Sequence, residues 1–260
     1  MPNILYKGAK ILFQDDGTGS TVVLIHGFLE SIWIWRKMVP ILSKRFRVIT
    51  LDLPGHGGSE CIGYVHTMNE MAEVVNAVLM SLRIRRASLV GHSMGGYVAL
   101  AFAEQYPDKV RNLVLYQSTA KADSELKKKD RKRAINLIKV NHKTFIRRSI
   151  PMLFRAKNRK AFNDSIKELK KEALKTSKQG VIAALTGMKD RPNREILLKF
   201  SPYPVHIIAS DMDPRIPFEE SQYLAEISAE ICLQEIKGCG HMSYIEAFDE
   251  TINCIEKSLK

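Results

Sequence analysis

The 260-residue chain lacks several features that would set it apart from ordinary globular proteins. No apolar run approaches the roughly 20 residues that a membrane-spanning helix needs. Residues 1–8 lack the charged-then-apolar pattern of a signal peptide, and no internal repeat or low-complexity linker is visible. The four cysteines, Cys61, Cys232, Cys239 and Cys254, are not spaced as the ligands of a metal site would be. We interpret them as free thiols in a reducing compartment and predict a cytoplasmic location, no transmembrane segment and no metal site.

Negative charge is scarce in only one part of the chain. The whole chain has a formal net charge of +12. Residues 121–178 contain 20 lysine or arginine residues but only six aspartate or glutamate residues, so this segment carries +14 and the remainder −2. Such a pattern is typical of a solvated helical surface. It also fits attraction of an anionic substrate or partner, such as an acyl carrier, a thioester nucleotide or a membrane surface. No nucleic-acid-binding motif accompanies the charge, so we expect no nucleic-acid partner.

Apolar segments with strand and helix periodicity alternate along the first half of the chain. We predict strands at residues 6–13, 21–26, 47–52, 87–91 and 110–116, and helices at 33–45, 69–82 and 94–106. Pro40 is expected to kink or break the first of these helices. Residues 22–25 are apolar throughout, as is typical of a strand that is covered on both faces. This alternation predicts an α/β fold, with a mostly parallel sheet and helices on both of its faces.

The alternation stops between residues 117 and 199. This segment is charged, has no strand pattern, and carries apolar residues at helical spacing, for example Phe162, Ile166 and Leu169. Strands are predicted again at 205–210 and 231–236, and helices at 218–227 and 244–259. We therefore predict a core made of residues 1–116 and 200–260, with residues 117–199 inserted as a helical cap over the strand ends.

The most informative stretch is Gly91-His92-Ser93-Met94-Gly95, which lies between a predicted strand and a predicted helix. In a G-x-S-x-G pattern at such a turn, the serine adopts a strained backbone conformation that leaves no room for side chains at the flanking glycines. The turn would lift the Ser93 hydroxyl clear of the sheet and aim the helix N-terminus at the group it attacks. We predict Ser93 to be a nucleophile, although a strand-helix turn with an idle serine would show the same five residues.

Separated segments of the chain together resemble the α/β-hydrolase fold family, in order and in spacing. They are His26-Gly27-Phe28, Asp52-Leu53-Pro54-Gly55-His56-Gly57, Gly91-His92-Ser93-Met94-Gly95-Gly96, Asp213 with Pro217, and Gly240-His241. They cover almost the whole chain except the predicted cap, and the order serine, aspartate, histidine is the one used by this fold. The resemblance implies an α/β-hydrolase fold with a cap, and a serine esterase-like member of the family with a Ser-Asp-His triad.

A serine hydroxyl needs a base within hydrogen-bond distance, and seven histidines compete for that role. His241 follows the last predicted strand in a glycine-rich loop, from which its imidazole can reach the strand ends, and we predict it to be the base. The resemblance implies that His26 packs beside the oxyanion site and that His56 is structural. His92 adjoins the serine, and its side chain is expected to point away. No motif surrounds the others, His66, His142 and His206.

Two aspartates follow the predicted strand 205–210, and either could orient the base. In the family that the sequence resembles, the acid precedes a proline by four positions, and Asp213 and Pro217 have this spacing. We therefore predict Asp213 to be the acid and Asp211 to cap the loop. The resemblance assigns the oxyanion hole to the backbone N–H groups of Phe28 and Met94.

Several reactions of the resembled family are disfavoured by this sequence. Serine at position 93 argues against the relatives that use aspartate there, the haloalkane dehalogenases and the epoxide hydrolases. No tyrosine lies between Tyr116 and Tyr203, although epoxide opening in that group requires one. The run His26-Gly27-Phe28-Leu29 is not H-G-G-G, which argues against esters of bulky triglycerides or tertiary alcohols.

We predict hydrolysis of a carboxylic ester or thioester of a small to medium acyl substrate, through an acyl-enzyme and without a metal or an organic cofactor. Two alternatives stay open, because the fold does not decide the reaction. The same triad could serve carbon–carbon bond hydrolysis, lyase or perhydrolase chemistry. The chain could also be a non-enzymatic, ligand-binding receptor of the same fold. The acyl group, the leaving group and the oligomeric state are not indicated by the sequence.

Overall fold

A computed structural model describes residues 1–260, which are organised around an eight-stranded sheet. The strands are β1 (Asn3–Tyr6), β2 (Ala9–Asp16), β3 (Thr21–Ile25), β4 (Arg47–Leu51), β5 (Ala87–His92), β6 (Val110–Tyr116), β7 (Val205–Ser210) and β8 (Ile231–Ile236). Their order in the sheet is β1-β2-β4-β3-β5-β6-β7-β8. The pairs β1–β2 and β2–β4 are antiparallel, and all the other pairs are parallel. The predicted α/β fold with a mostly parallel sheet is confirmed.

Ten α-helices accompany the sheet. They are α1 (Val39–Leu42), α2 (Met68–Ser81), α3 (Met94–Gln105), α4 (Glu125–Ser149), α5 (Asn163–Ala173), α6 (Lys178–Lys189), α7 (Glu195–Lys199), α8 (Phe218–Ala225), α9 (Ser243–Glu246) and α10 (Phe248–Ser258). Helices α2 and α3 pack on each other, and α3 also packs on β3, β5 and β6. Helices α8 and α10 pack on β7 and β8. None of the helices combines the length and the apolar character that crossing a membrane requires.

The central strands explain why the sheet forms where it does. Every residue of β3 and of β5 is buried, as expected for strands that neighbours and helices cover on all sides. Val22, Val23 and Ile25 in β3 are β-branched, which favours the extended backbone. The apolar core continues from the sheet into the inserted helices, where Ile138 and Leu169 are fully buried. Because β3 to β8 run parallel, their carboxyl ends lie along the same edge of the sheet.

Three predicted elements are wrong in extent, because the chain breaks inside them. The predicted strand 6–13 is the hairpin β1–β2, which turns at Lys7 and Gly8 with positive φ angles of 49° and 82°. The predicted helix 33–45 is a 3-10 turn followed by the short helix α1, whose first turn holds Pro40, so the chain breaks before the proline at which a kink was expected. The predicted helix 244–259 is divided into α9 and α10 at Ala247, which has φ −149°. In the first and third of these elements the apolar pattern continues across the break and conceals it.

Residues 117–199, here called the cap segment, contain α4 to α7 and lie between β6 and β7. Helix α4 is bent at Asn141 (φ −150°, ψ 88°), whose Oδ1 accepts the N–H of Thr144 at 3.0 Å and so starts a new helical turn. Helix α6 approaches the rest of the chain very closely. A Cβ on Gly187 would overlap the carbonyl oxygen of His66, so only glycine fits at this contact. The division of the chain into a core and a cap stays a prediction.

Candidate active site

Ser93 lies at the turn between β5 and α3, where its backbone has φ 51° and ψ −116°. This left-handed region is costly for a residue with a side chain, and local contacts hold it in place. The N–H of Ser93 donates to the Tyr116 carbonyl at the end of β6 at 2.9 Å. Its own carbonyl accepts the Gly96 N–H at 2.9 Å and the Ser118 hydroxyl at 2.7 Å. The turn after β5 is therefore fixed to the end of the neighbouring strand β6.

The glycines around Ser93 are required by close backbone approaches. A Cβ on Gly95 would overlap the carbonyl oxygen of Ile25 in β3. A Cβ on Gly91 would overlap the carbonyl oxygen of Gly95 across the turn. Helix α3 can therefore begin directly against the sheet, and its free N–H groups point to the space beside Ser93.

The structure brings the three predicted triad side chains together. The Ser93 hydroxyl lies 2.8 Å from His241 Nε2, and His241 Nδ1 lies 2.7 Å from Asp213 Oδ2. His241 follows β8 and Asp213 follows β7, so both side chains come from loops at the carboxyl ends of parallel strands. The side chains of His241 and Asp213 are 3% and 2% exposed, which keeps water from competing for their contact.

Asp213 is oriented by its own loop. Its second oxygen, Oδ1, accepts the N–H groups of Arg215 at 2.7 Å and Ile216 at 3.1 Å, so the carboxylate is held at both oxygens. The neighbouring Asp211 instead accepts the Gly238 N–H at 2.7 Å. That contact ties the loop after β7 to the loop after β8, as expected of a residue that caps a loop.

The predicted oxyanion-hole residues flank Ser93. The loop after β3 passes close to the serine, because a Cβ on Gly27 would lie 3.1 Å from the Ser93 Cβ. No acceptor within the chain takes the Phe28 N–H. Met94 is the first residue of α3, and the N–H groups of a first helical turn have no partner within the helix. The two N–H groups named by the resemblance thus lie on either side of the serine turn.

A buried pair beneath the triad was missed by the sequence reasoning. His92 Nδ1 lies 2.8 Å from Glu30 Oε2, and His92 Nε2 lies 3.1 Å from the backbone carbonyl oxygen of His241. Glu30 also accepts the Gly27 N–H at 2.6 Å and the Tyr244 hydroxyl at 3.0 Å. The pair thus connects the loop of the predicted oxyanion hole to the loop of the predicted base.

The ionisation of this pair follows from its contacts. Burial alone would raise the pKa of Glu30, but the adjacent His92 imidazole and the Gly27 N–H hold the pKa of that carboxyl below its usual value. Burial alone would lower the pKa of His92, but Glu30 and the His241 carbonyl raise it above its usual value. Both ring nitrogens of His92 face acceptors, which fits a protonated imidazole that donates from both sides. The expectation that His92 points away from Ser93 did not foresee this role.

Gln117 is a second residue that the sequence reasoning missed. It follows β6 with a positive φ of 46° and is buried. Its Nε2 donates to the Gly240 carbonyl at 2.7 Å, and its Oε1 lies 3.3 Å from His92 Nε2. A polar residue directly after a buried parallel strand was the available signal, because such positions meet at one sheet edge.

His26 and His56, which were predicted to be structural, and His66, which no motif surrounds, make structural contacts. His26 Nε2 accepts the Leu53 N–H at 2.9 Å, and His26 Nδ1 lies 2.7 Å from the Gly27 carbonyl oxygen. Burial and the neighbouring His26 lower the pKa of His56 to about 3, so its ring is neutral. His66 Nε2 accepts the Ile62 N–H at 3.2 Å. None of these three rings contacts the Ser93 hydroxyl.

Together these groups supply what acyl transfer requires. A hydroxyl contacts an imidazole, the imidazole contacts a buried carboxylate, and backbone N–H groups lie beside the hydroxyl. No group of three or more histidine, cysteine, aspartate or glutamate side chains is arranged to hold a metal ion.

Comparison with known proteins agrees with this geometry. A family model described as the alpha/beta hydrolase fold matches residues 20–248. A solved structure of a thermophilic esterase from Thermogutta terrifontis has a TM-score of 0.92 and 31% identity, over 96% of this chain and 93% of that one.

Curated relatives include hydrolases of more than one kind. A 2-hydroxymuconate semialdehyde hydrolase of a Pseudomonas species is 29% identical over 94% of this chain and 88% of its own length. A pimeloyl-acyl-carrier-protein methyl ester esterase of Nitrosomonas europaea is 38% identical over 43% of this chain. The alignments with two of the curated relatives cover only 39% and 42% of the length of those proteins.

Proposed function

This chain belongs to the α/β-hydrolase fold family, and we propose that it hydrolyses a carboxylic ester or thioester through an acyl-enzyme on Ser93. The observation that carries the proposal is the continuous contact from the Ser93 hydroxyl through His241 to Asp213, at 2.8 Å and 2.7 Å. These distances allow proton transfer without rearrangement of the side chains. The similarity to a thermophilic esterase at 31% identity supports the same reaction class.

In the proposed reaction, the Ser93 oxygen attacks the carbonyl carbon while His241 Nε2 takes the hydroxyl proton. The tetrahedral intermediate collapses, the bond to the leaving alcohol or thiol breaks, and His241 returns the proton to that group. Water then attacks the acyl-enzyme with His241 again as the base, which releases the acid and restores Ser93. Asp213 holds the imidazole in the tautomer whose Nε2 is free to accept, and stabilises its protonated form.

The negative charge on the carbonyl oxygen would be stabilised by the N–H groups of Phe28 and Met94. Loss of one oxyanion-hole donor raises the barrier by about 3 to 4 kcal/mol in enzymes of this kind. Both donors are backbone groups, so the fold itself positions them. The pair of Glu30 and His92 would keep the Phe28 donor in place, because Glu30 Oε2 accepts the neighbouring Gly27 N–H at 2.6 Å.

An anionic or carrier-linked acyl group is our proposal for the substrate. The cap segment concentrates positive charge, and it lies between two strands that contribute to the site. A relative is named as an esterase of an acyl-carrier-protein ester, which fits this charge. The four cysteines form no disulfide. A cytoplasmic location and the absence of a nucleic-acid partner stay predictions from the sequence.

A second reaction has specific support. The relative that aligns over 94% of this chain is named 2-hydroxymuconate semialdehyde hydrolase, which keeps carbon–carbon bond hydrolysis by the same triad as the alternative. A ligand-binding receptor without catalysis is the remaining alternative, and it predicts binding without turnover.

A panel of p-nitrophenyl esters with acyl chains of increasing length tests the proposal. We expect turnover of the short and medium chains, and a loss of at least about 1,000-fold in Ser93→Ala. Ser81→Ala, which changes a serine at the end of α2, is the matched control and should keep full activity. Turnover that survives in Ser93→Ala would contradict the proposal, and so would tight ligand binding by a wild-type protein that hydrolyses no ester.

A further inference from the structure

The loop that carries His241 rests directly on the backbone of the cap segment. The His241 N–H donates to the Leu153 carbonyl at 2.8 Å. A Cβ on the preceding Gly240 would overlap the backbone nitrogen of Arg155 and lie 2.8 Å from the Leu153 carbonyl oxygen. A residue other than glycine at position 240 would push these two segments apart. The position of the predicted base is thus coupled to the position of residues 153–155.

Side chains of the cap segment extend this contact. Arg155 Nη1 and Asn158 Nδ2 donate to the Gly238 carbonyl at 3.1 Å and 2.9 Å. Gly238 has a positive φ of 73°, and its N–H is held by Asp211 at 2.7 Å. The loop after β8 is therefore held on one side by the loop after β7, and on the other by the cap segment. We call the contact between residues 238–241 and 153–158 the joint.

One carboxylate spans the joint. Glu246, the last residue of α9, accepts the Gly240 N–H through Oε1 at 3.0 Å. Its other oxygen, Oε2, accepts Asn158 Nδ2 at 2.7 Å and the Arg155 N–H at 3.2 Å. One oxygen thus serves the His241 loop and the other serves the cap segment. All three donors are uncharged N–H groups, so the carboxylate meets no cation among its hydrogen-bond partners.

Ionisation of Glu246 is disfavoured by its surroundings. Burial raises the pKa of this carboxyl, and its hydrogen bonds only partly offset the effect. A carboxyl whose pKa is raised by folding lowers stability once it is ionised, because the folded state binds the proton more tightly than the unfolded state. The protonated form of Glu246 is therefore more favourable for folding than the ionised form, although the carboxylate still accepts the three hydrogen bonds that hold the joint together.

We propose that Glu246 is a positioning residue for His241, and that its carboxylate makes the placement of the base depend on a docked cap segment. The inference rests on the proposed function, since it takes His241 as the base for Ser93. Any displacement of the cap segment that admits a substrate would carry the Leu153 carbonyl and the Arg155 N–H away from the loop. His241 would then reach its working position only when the cap segment returns.

The rate at which diethyl p-nitrophenyl phosphate phosphorylates Ser93 measures the readiness of the base without the natural substrate. We expect Glu246→Ala to react about 10 to 100 times more slowly, the size of effect that a misplacement of about 1 Å produces. Glu246→Gln keeps the shape but places a donor against N–H groups, and should be intermediate. Asn158→Ala leaves the Gly240 contact intact and should lose least. A Glu246→Ala rate within twofold of wild type overturns the inference.

The matched control is Glu104→Ala. Glu104 on α3 also joins the cap segment, through Arg194 at 2.7 Å, but has no contact with the His241 loop. It should lower thermal stability and keep the wild-type phosphorylation rate. An equal slowing in Glu104→Ala would show that any loosening of the cap segment suffices, and would also overturn the specific role of Glu246.

A double-mutant cycle separates positioning from a general structural role. If Glu246 acts through His241, then adding Glu246→Ala to His241→Ala should change the residual phosphorylation rate less than twofold. A further loss as large as that seen in the wild-type background would mean that the two residues act independently, which contradicts the inference.

Hydrogen exchange tests the joint independently of activity. We expect Glu246→Ala to raise the exchange of amides in both residues 238–241 and 153–158, by about tenfold or more, since both sides lose a common acceptor. Glu104→Ala should leave both segments unchanged. Failure of wild-type protein to be labelled at Ser93 would defeat the proposed function, and with it the inference that rests on it. Unchanged exchange on either side of the joint would defeat the inference alone.

Discussion

The sheet and the cap segment are each stabilised by a different set of contacts. Strand β3 is buried at every residue, whereas Ile138 and Ile146 are the only buried residues among the 25 of α4. The sheet excludes water with apolar side chains and satisfies its backbone in strand pairs. The cap segment shares the apolar core through α5 and α6. It adds buried charged side chains, such as Asp123 and Arg194, and glycines that let its backbone approach the core. The site needs both, because Ser93 and Asp213 come from strand ends while the His241 loop also leans on the cap segment.

The largest loss of activity is expected from a substitution at the strand ends of the sheet. Asp213→Asn should lower kcat by about 1,000- to 10,000-fold, because an amide cannot hold the imidazole of His241 in the correct tautomer. The loop N–H groups that bind Oδ1 can still be satisfied, so we expect little change in the thermal unfolding midpoint. Steady-state hydrolysis of p-nitrophenyl acetate and a thermal melt measure the two quantities.

Asp211→Asn is the control for that variant. Its amide oxygen can still accept the Gly238 N–H, so the loss of kcat should stay below about tenfold. A similar loss in both variants would mean that the loop, and not the carboxylate at Asp213, carries the effect.

The difference between the two regions also explains what the sequence could predict. The turn at Ser93 was predictable, because close backbone approaches demand glycine at positions 91 and 95. Ser93 directly follows β5, and the other two predicted triad residues stand in the loops after β7 and β8. Parallel strands end along the same edge, so these positions were expected to meet. The parallel sheet was predictable as well, since buried strands require continuous apolar runs.

The contacts that couple the loops were not predictable from local pattern. Glu30, His92 and Glu246 stand in segments whose meeting depends on the whole fold. His92 ends a buried strand beside Ser93, but nothing in the sequence around it identifies Glu30 as its partner. The hairpin turn at Lys7 and Gly8 was missed because strand alternation continues through it. Polar contacts between distant segments follow from the fold, and the periodicity of the sequence does not predict them.

The second effect tests the charged interior of the cap segment. The Asp123 side chain is fully buried and binds Arg191 at 2.6 Å, and it also contacts Arg131. Arg191 in turn lies 3.9 Å from the centre of the Tyr97 ring on α3. Asp123→Asn should lower the free energy of unfolding by about 3 to 5 kcal/mol, because it leaves buried guanidinium charge uncompensated. Urea unfolding at pH 7 measures this loss.

The loss of stability in Asp123→Asn should depend on pH. Burial would raise the pKa of Asp123, but the guanidinium groups of Arg131 and Arg191 hold it below the usual value. The stabilisation is therefore present above the unfolded-state pKa of about 3.9 and is lost as the pH falls through the folded-state value. The difference between wild type and Asp123→Asn should shrink in acid, and a difference that stays constant down to pH 2 would contradict the ion pair as its source.

The third effect lies at the boundary between the two regions. Gly187→Ala places a methyl group against the backbone carbonyl of His66, and should lower the free energy of unfolding by about 1 to 3 kcal/mol. Gly63→Ala is the control, because the nearest atom to its Cβ would be 3.8 Å away. A thermal melt should show a lower midpoint only for Gly187→Ala. Equal midpoints would mean that α6 can shift outward at no cost.

The smallest effect concerns the positive charge of the cap segment. If this charge attracts an anionic ester, kcat/KM should fall severalfold between 20 mM and about 200 mM salt, because exposed charges are screened over about 10 Å at 0.1 M. A neutral ester of similar size should show no such fall, since it has no net charge for the cap segment to attract. Replacing Lys129 and Lys132, both exposed on α4, with glutamine should flatten the salt dependence for the anionic ester alone. An equal salt dependence for both esters would mean that the positive charge only solvates the helical surface. The sheet and the cap segment would then differ in how they are stabilised, and the cap segment would have no part in the choice of substrate.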